Sequence, residues 1–264
     1  MGELLDSLLL GIVQGLTEFL PVSSSGHLVL AQEILNANFG KGILFEVAVH
    51  LATLVAILIF YRQRVARLAY GAATRNRHAL EYIGKLAVGT LPAVMAALLL
   101  RGWIEAQFNS LLVVGICLIV TGFLVWSTRF TIPSLGGKGK DEPTWAAAFL
   151  IGCVQAVAIL PGISRSGSTV AAGLVLGLHP LAAAEFSFML GMIAMAGAGI
   201  LLLPELTSVD PGLLVSIAAG SLAALISGLA ALAAFVWLLR TQRFYAFAWY
   251  AWIAGALTIG WALI

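Results

Sequence analysis

Two short segments of the sequence carry side chains whose types and spacing suit phosphate chemistry. In the first segment, Gln14 and Glu18 lie four residues apart, so they share a face if the segment is helical. Their oxygens are hard ligands of the kind that Mg²⁺ or Ca²⁺ prefers. Ser24 and His27 follow, and either could be the nucleophile, or His27 the base that activates water or Ser24. The segment therefore predicts a phosphate site that combines a divalent cation with a nucleophile.

The second segment supplies groups that would hold an anion. Arg165 stands in a run of hydroxyl residues, and its guanidinium can grip phosphate oxygens in a bidentate manner. A turn rich in Ser and Gly that opens a helix also presents backbone N–H groups and a positive dipole end to an anion. The predicted substrate-binding residues of the two segments are Ser23, Ser25, Gly26, Ser164, Ser166, Gly167 and Thr169.

The composition indicates where these segments must lie. Of the 264 residues, 61% are hydrophobic and 10% are charged, and the mean hydropathy is +1.03. A soluble domain averages about 25% charged residues, so this chain cannot cover a water-exposed surface. A net charge of +2 is also too small for a nucleic-acid-binding face. These values exclude a soluble enzyme, a disordered chain and a nucleic-acid binder, and we expect an integral membrane protein surrounded by lipid.

Long apolar runs predict six membrane-spanning helices. They cover residues 43–60, 80–100, 108–126, 181–204, 212–239 and 244–264. The two chemical segments lie in further apolar stretches, residues 4–36 and 145–178, which are broken at 21–27 and 161–169. The shorter arms cannot cross a hydrocarbon core of about 30 Å. Each stretch is therefore predicted to be a re-entrant helix–loop–helix hairpin, with its loop buried in protein or lining a wet cavity.

The basic residues predict the orientation of the chain. Ten of the fourteen Lys and Arg residues fall on the links after the first, third and fifth predicted spans. They are Arg62, Arg64, Arg67, Arg75, Arg77, Arg129, Lys138, Lys140, Arg240 and Arg243. By the positive-inside rule these links face the cytoplasm, so both termini are expected on the outer face.

The chain also repeats itself with an offset of 141 residues. The repeat joins a Gly-x-x-Gln pair to a Ser-x-Ser-Gly run, at residues 11–26 and again at 152–167. Three crossings separate equivalent points, so the halves of this single membrane domain, residues 1–127 and 144–264, are predicted to have opposite orientations. In such a plan the broken helices of both halves meet near the membrane midplane and form a site.

Two other classes of protein stay open from the residues alone. Inverted repeats with broken helices are the usual plan of secondary transporters, and a pocket that grips a lipid phosphate could act as a flippase. A flippase has no need of Glu18 beside a nucleophile. A purely structural membrane subunit would leave Arg165 and Glu18 unexplained at membrane depth.

The two motifs resemble those of a known family, the bacterial undecaprenyl-diphosphate phosphatases, or bacitracin-resistance family. Gln14-x-x-x-Glu18 resembles the (Glu/Gln)-x-x-x-Glu motif of that family, and the run from Gly15 to His27 resembles its first signature. Residues 161–169 resemble its Pro-Gly-x-Ser-Arg-Ser-x-x-Thr motif. The resemblance covers essentially the whole chain.

The resemblance implies an all-α integral membrane protein with six transmembrane helices plus two re-entrant hairpins. It implies removal of the terminal phosphate from undecaprenyl diphosphate, which returns the carrier lipid to peptidoglycan synthesis and confers bacitracin resistance. It also implies a divalent cation and a site reached from the outer face of the inner membrane. A homodimer is one option for the oligomeric state.

The resemblance also implies a role for each motif residue. Glu18 and Gln14 would serve the metal and the attacking water, and Arg165 would hold the diphosphate. Ser24 or His27 would be the nucleophile or the base. The phosphate pocket would be lined by Ser164, Ser166 and Thr169.

Overall fold

A computed structural model describes residues 2–35, 42–134, 138–201 and 213–264. Within these ranges every regular element is a helix, apart from one bridge pair between Lys140 and Leu178. A short 3-10 helix, Phe244–Ala246, precedes the last helix. In chain order the helices are α1 (Gly2–Phe19), α2 (Ser24–Leu35), α3 (Gly42–Phe60), α4 (Arg62–Ala73), α5 (Arg77–Leu99), α6 (Arg101–Gln107), α7 (Leu111–Ser134), α8 (Trp145–Val157), α9 (Arg165–Val175), α10 (Pro180–Leu201), α11 (Leu214–Arg240) and α12 (Phe247–Ala262).

Four helices, α5, α7, α10 and α11, are long and apolar enough to cross a membrane. The helices α3 and α4 qualify together as a fifth candidate, although they are bent by 79°. The last helix, α12, has only 16 residues. The described residues therefore confirm an all-helical, multi-pass membrane protein with four or five candidate spans. Three predicted ranges extend beyond the described residues: 4–36 at residue 36, 181–204 at residues 202–204, and 212–239 at residue 212.

Both predicted breaks are present, but they are shorter than predicted. Helix α2 begins at Ser24, so residues 24–27 form its first turn and are not part of a loop. Helix α9 likewise begins at Arg165. Ser164 explains this start, because its Oγ accepts a hydrogen bond from the Gly167 N–H at 3.1 Å and so caps the helix.

The arms beside the breaks are short. Helices α2, α8 and α9 have 12, 13 and 11 residues. At 1.5 Å per residue, these are roughly 16–20 Å long. A hydrocarbon core is about 30 Å thick, so none of these three arms is long enough to cross it alone.

The first arms of the two broken segments pack in the same way. Helix α1 packs mainly on α11, and α8 packs mainly on α5. A Cβ on Gly11 would overlap the backbone of Gly220, and a Cβ on Gly152 would overlap the backbone of Gly89. Small residues let helix backbones approach closely in membrane proteins. Each first arm is therefore held tightly against one long helix of the other half.

An aromatic core fixes the end of α1 below the first break. Phe19 packs edge-on against Phe188, with ring centroids 5.7 Å apart, and Phe188 contacts Phe235 at 5.0 Å. All three rings are fully buried. Glu18 therefore projects from a part of the helix that is anchored in the core.

Candidate active site

The two breaks meet in space, although they lie about 140 residues apart in the sequence. The Ser23 Oγ accepts a hydrogen bond from the Gly162 N–H at 3.1 Å. The Ser166 Oγ donates to the Leu20 carbonyl at 3.3 Å. Gly26 packs so closely on this junction that a Cβ there would lie 3.1 Å from the Gly162 Cα. Side chains of both segments are thereby brought to one place.

Each break turns through a residue with a left-handed backbone conformation, Ser23 at φ 70° and Gly162 at φ 98°. Glycine adopts this conformation readily, whereas serine does so only when surrounding contacts hold it. Thr121 of α7 fixes the second break, because its Oγ1 donates to the Gly162 carbonyl at 2.8 Å and accepts from the Ser164 N–H at 2.9 Å. The bond between the breaks fixes Ser23 in turn.

Glu18 is the residue on which both segments converge. Its side chain is buried, and helices α2 and α9 both begin at a residue that bonds to it. Ser24 Oγ donates to Oε2 at 2.5 Å, and Arg165 Nη2 donates to Oε1 at 2.5 Å. Gln14 Nε2 donates to Oε2 at 3.0 Å. Two helix N-termini, each the positive end of a helix dipole, therefore lie beside this carboxylate.

Two buried atoms of this site have no hydrogen-bond partner in the part of the chain that the structure describes. They are the donor Arg165 Nη1 and the acceptor Gln14 Oε1. Buried polar groups in native proteins are nearly all paired. These two atoms therefore indicate a ligand, with an anion suited to Arg165 and a cation suited to Gln14.

A divalent cation fits this donor set only when it is shared with a substrate. Among the described residues, no three His, Cys, Asp or Glu side chains are grouped so that they could hold a metal ion. Gln14 turns its Nε2 toward the Glu18 carboxylate, so a rotation of the amide would bring its Oε1 beside that carboxylate as a second hard oxygen. Mg²⁺ is commonly bound by one or two carboxylates together with substrate phosphates and waters. The residues present fit a cation of that kind.

His27, one of the predicted catalytic residues, has both ring nitrogens engaged away from Glu18. Its Nδ1 lies 2.8 Å from the Ser23 carbonyl oxygen, which can only accept, so Nδ1 carries a proton. Its Nε2 lies 2.7 Å from the Tyr250 hydroxyl, and the two rings stack with centroids 5.6 Å apart. Tyr250 lies 223 residues further along the chain, and no sequence signal linked it to this site.

His50 on α3 is a second residue that the sequence did not place in the site. Its Nδ1 lies 2.7 Å from the carbonyl oxygen of Glu46, and its Nε2 lies 3.8 Å from Glu18 Oε2. The Glu46 carboxylate accepts a hydrogen bond from Gln32 Nε2 at 3.0 Å. The spacing of four residues between Glu46 and His50 was the available signal, but it indicates only a local pair.

A cavity of about 270 Å³ lies beside His50. Its polar part is formed by Ser25, Glu46 and His50, whereas most of its wall is apolar and includes Leu28 and Met195. The cavity therefore has a mixed lining, mostly apolar with a few polar groups.

The remaining predicted binding residues hold the broken segments in place. Thr169 Oγ1 donates to the Arg165 carbonyl at 2.7 Å and lies 2.6 Å from Ser187 Oγ. A Cβ on Gly167 would lie 3.0 Å from the Pro21 Cβ. Gly167 therefore lets the second segment pack closely on the first, whereas Thr169 fixes α9 against α10.

The fold and the site define a class: a multi-pass helical membrane protein with a buried carboxylate–arginine pair where two broken helices meet. A family model described as "Bacitracin resistance protein BacA" matches residues 7–257. The chain belongs to this family.

Similar proteins named "Undecaprenyl-diphosphatase" cover nearly the whole chain. One from Desulforapulum autotrophicum is 39% identical, over 97% of this chain and 98% of its own length. One from Desulfosudis oleivorans is 40% identical, over 97% and 98%. One from Syntrophotalea carbinolica is 36% identical, over 96% and 97%.

Proposed function

We propose that this chain hydrolyses undecaprenyl diphosphate to undecaprenyl phosphate and inorganic phosphate. The observation that carries the proposal is the short hydrogen bond from Ser24 Oγ to Glu18 Oε2, with Arg165 on the other oxygen of the same carboxylate. This places the nucleophile Ser24, its base Glu18 and the guanidinium of Arg165, which can bind an anion, in one place. The relatives cover 97% of this chain, and the name that they share supports the same reaction.

Ser24 is the nucleophile in this proposal, and Glu18 is its base. Ser24 Oγ attacks the terminal phosphorus, and the bond from that phosphorus to the bridging oxygen breaks, so the lipid monophosphate leaves. The serine proton passes to Glu18 Oε2, which already accepts its hydrogen bond. Water then attacks the phosphoserine, which releases inorganic phosphate and restores Ser24.

Arg165 holds the diphosphate and stabilises the charge of the transition state. Its Nη1 donor is buried against Gly191 of α10 and has no partner among the described residues, so a small movement of the guanidinium would bring it to a phosphate oxygen while Nη2 stays on Glu18. Phosphoryl transfer depends mainly on positioning and charge stabilisation, and a guanidinium provides both. The N–H groups at the starts of α2 and α9 add to this anion site.

A divalent cation, Mg²⁺ or Ca²⁺, is part of the proposal. Gln14 Oε1 and Glu18 would hold it together with the substrate phosphates. When bound, it would neutralise charge on the diphosphate.

We propose the same membrane arrangement that the sequence predicts. Six helices would span the bacterial inner membrane, and the two broken segments would be re-entrant hairpins in oppositely oriented halves. The short arms α2, α8 and α9 and the matching packing of α1 and α8 support it. The termini and the opening of the site would then face outward. The product would be the monophosphate carrier lipid that peptidoglycan synthesis needs, and its release would confer bacitracin resistance.

The test is phosphate release from undecaprenyl diphosphate by the purified protein in detergent. It is measured with Mg²⁺ or Ca²⁺, then with excess chelator, and compared with Glu18→Gln, which keeps the side-chain shape. We expect phosphate release that depends on the metal. In Glu18→Gln the rate of release should fall by about 100-fold or more. No release by folded native protein under either condition would contradict the proposal and favour a lipid-phosphate flippase. Full phosphate release in excess chelator would show that the reaction needs no divalent cation, and the cation would be dropped from the proposal.

A further inference from the structure

Thr121, near the middle of α7, directs its hydroxyl away from its own helix. Hydroxyl side chains in membrane helices commonly donate to a carbonyl of the same helix one turn earlier. Thr90 and Thr258 do so, each at 2.8 Å. Thr121 Oγ1 instead donates to the Gly162 carbonyl at 2.8 Å and accepts from the Ser164 N–H at 2.9 Å. Its hydroxyl therefore bonds to the second break as both donor and acceptor.

One of these two hydrogen bonds leads to Ser24. Thr121 holds the carbonyl of Gly162, and the N–H of the same glycine donates to Ser23 Oγ at 3.1 Å. Ser23 has a left-handed backbone at φ 70° and immediately precedes Ser24, the first residue of α2. The direction in which α2 starts therefore depends on where Gly162 lies. The position of Ser24 Oγ beside Glu18 depends on it in turn.

The other hydrogen bond leads to Arg165. Thr121 accepts from the N–H of Ser164, which caps α9, and Arg165 is the first residue of that helix. The Ser164 carbonyl accepts a hydrogen bond from the Ser168 hydroxyl at 2.5 Å, which ties the cap to the first turn. The point from which the Arg165 side chain leaves the backbone is therefore set by Ser164, and through it by Thr121.

Burial makes this arrangement costly to lose. Thr121 is fully buried and Ser164 is 1% exposed. Gly162 lies directly on α7, because a Cβ there would overlap the Val114 carbonyl oxygen. Without the hydroxyl, the Gly162 carbonyl and the Ser164 N–H would lose this partner inside the protein, and a buried polar group that loses its partner is destabilising. The break would then have to shift on α7.

We propose that Thr121 is a positioning residue that holds both Ser24 and Arg165 in their reactive places. It acts through the backbone of the second break and never touches the phosphate. A single hydroxyl thus serves the nucleophile and the anion-binding group together. This inference rests on the proposed function.

The first test is Thr121→Val, which keeps the shape of the side chain and removes both hydrogen bonds. We expect kcat for undecaprenyl diphosphate to fall about tenfold or more, because Ser24 is displaced. We also expect KM and the inhibition constant of inorganic phosphate to rise severalfold, because Arg165 is displaced. Thr121→Ser keeps the hydroxyl, so it should stay within about threefold of native in all three values.

The matched control is Thr128→Val. Thr128 is also fully buried on α7, but its hydroxyl donates to the Val125 carbonyl of the same helix at 2.6 Å. Its three kinetic values should equal those of the native protein. An equal loss in this variant would show that any buried threonine of α7 has the same effect, and would overturn the proposal.

These measurements separate positioning from a loss of folded protein. An unfolded fraction lowers kcat per chain, but it leaves KM and the phosphate inhibition constant unchanged, because only folded molecules bind. Thr121→Ala removes the same hydroxyl and puts no methyl group in its place. It is therefore the second variant, with the same expected changes, if Thr121→Val does not fold.

Three further results would overturn the proposal. They are native kinetics without the hydroxyl, a change confined to kcat or confined to the two binding values, and a loss in Thr121→Ser as large as in Thr121→Val. Each is distinct from failure of the proposed function, in which the native chain itself would release no phosphate.

Discussion

Two clusters of buried and partly buried charge in this protein are built in opposite ways. The Glu18 cluster consists of Gln14, Glu18, Ser24, His50 and Arg165. The Arg64 cluster consists of Arg64, Lys85, Glu142 and Glu185. In the latter, Arg64 Nε lies 2.8 Å from Glu185 Oε1 and Arg64 Nη2 lies 3.3 Å from Glu142 Oε1, while Lys85 Nζ lies 3.7 Å from Glu142 Oε2.

The two clusters differ in what they leave available to a ligand. In the Arg64 cluster each cation has two carboxylate partners: Arg64 faces Glu142 and Glu185, and Lys85 faces Glu142 and, at 2.9 Å, Glu81. The cluster joins α4, α5, α10 and the segment before α8.

The Glu18 cluster keeps a buried donor and a buried acceptor without partners in the described chain, and His50 connects it to a cavity. Arg64 Nε makes no well-aligned hydrogen bond either, but it lies 2.8 Å from the Glu185 carboxylate. A charged cluster alone therefore does not mark a candidate active site, whereas polar atoms with neither a hydrogen-bond nor an ion-pair partner, close to a cavity, do.

The largest effect should come from Ser24→Ala in the Glu18 cluster. Loss of the nucleophile is expected to lower kcat at least about 1,000-fold, since removing a nucleophile is among the most damaging changes to an enzyme. Phosphate release measures it. Ser25→Ala, the neighbouring change, removes a hydroxyl that contacts Ser23 at 3.3 Å and should cost less than about tenfold. If Ser24→Ala kept more than a tenth of the native kcat, water would be the attacking group.

A lysine in place of each arginine compares the two clusters directly. Arg165→Lys should lower kcat/KM about 100-fold, because one ammonium cannot hold Glu18 and a phosphate oxygen in the bidentate geometry of a guanidinium. Arg64→Lys should leave kcat/KM within about threefold and lower the thermal unfolding midpoint, since it weakens contacts worth about 1–3 kcal/mol. Kinetics and thermal unfolding in detergent measure both. Similar kinetic losses in the two variants would show that the clusters are coupled.

Gly191 on α10 gives a smaller test of the position of Arg165. A Cβ at Gly191 would overlap the Arg165 guanidinium, whereas a Cβ at Gly197 on the same helix meets nothing within 4 Å. Gly191→Ala should lower kcat/KM about tenfold, because small misplacements of a positioning group slow catalysis. Gly197→Ala is the control. Because the added Cβ could also destabilise the packing around Gly191, thermal unfolding of both variants in detergent is measured beside the kinetics. Equal kinetics would show that Arg165 moves freely.

Local spacing explains how much of the fold and the site the sequence could predict. Gln14 and Glu18 share a helix face because they are four residues apart, and Glu18 Oε2 accepts the amide hydrogen bond that this spacing allows. Apolar runs predicted α3 and α5 to within a few residues. The bend between α3 and α4 was not predicted, because the basic residues of α4 were interpreted only as a cytoplasmic link.

The histidines show where sequence proximity gives too little information. His27 stands three residues after Ser24, yet it bonds to Tyr250 of α12. His50 is on another helix, yet its ring reaches Glu18. Which ring faces the carboxylate depends on how α2 and α3 are rotated against α1, and no spacing within one helix contains that information.

The smallest effect is expected at the edge of the Glu18 cluster, from Tyr250→Phe. The change removes the hydroxyl that lies 2.7 Å from His27 Nε2 but keeps the stacked ring. His27 is partly exposed, so water can replace the lost partner, and kcat should stay within about threefold of native. Steady-state phosphate release measures it. A loss above about tenfold would mean that the orientation of His27 matters for turnover, and the Glu18 cluster would then have to extend through His27 to α12.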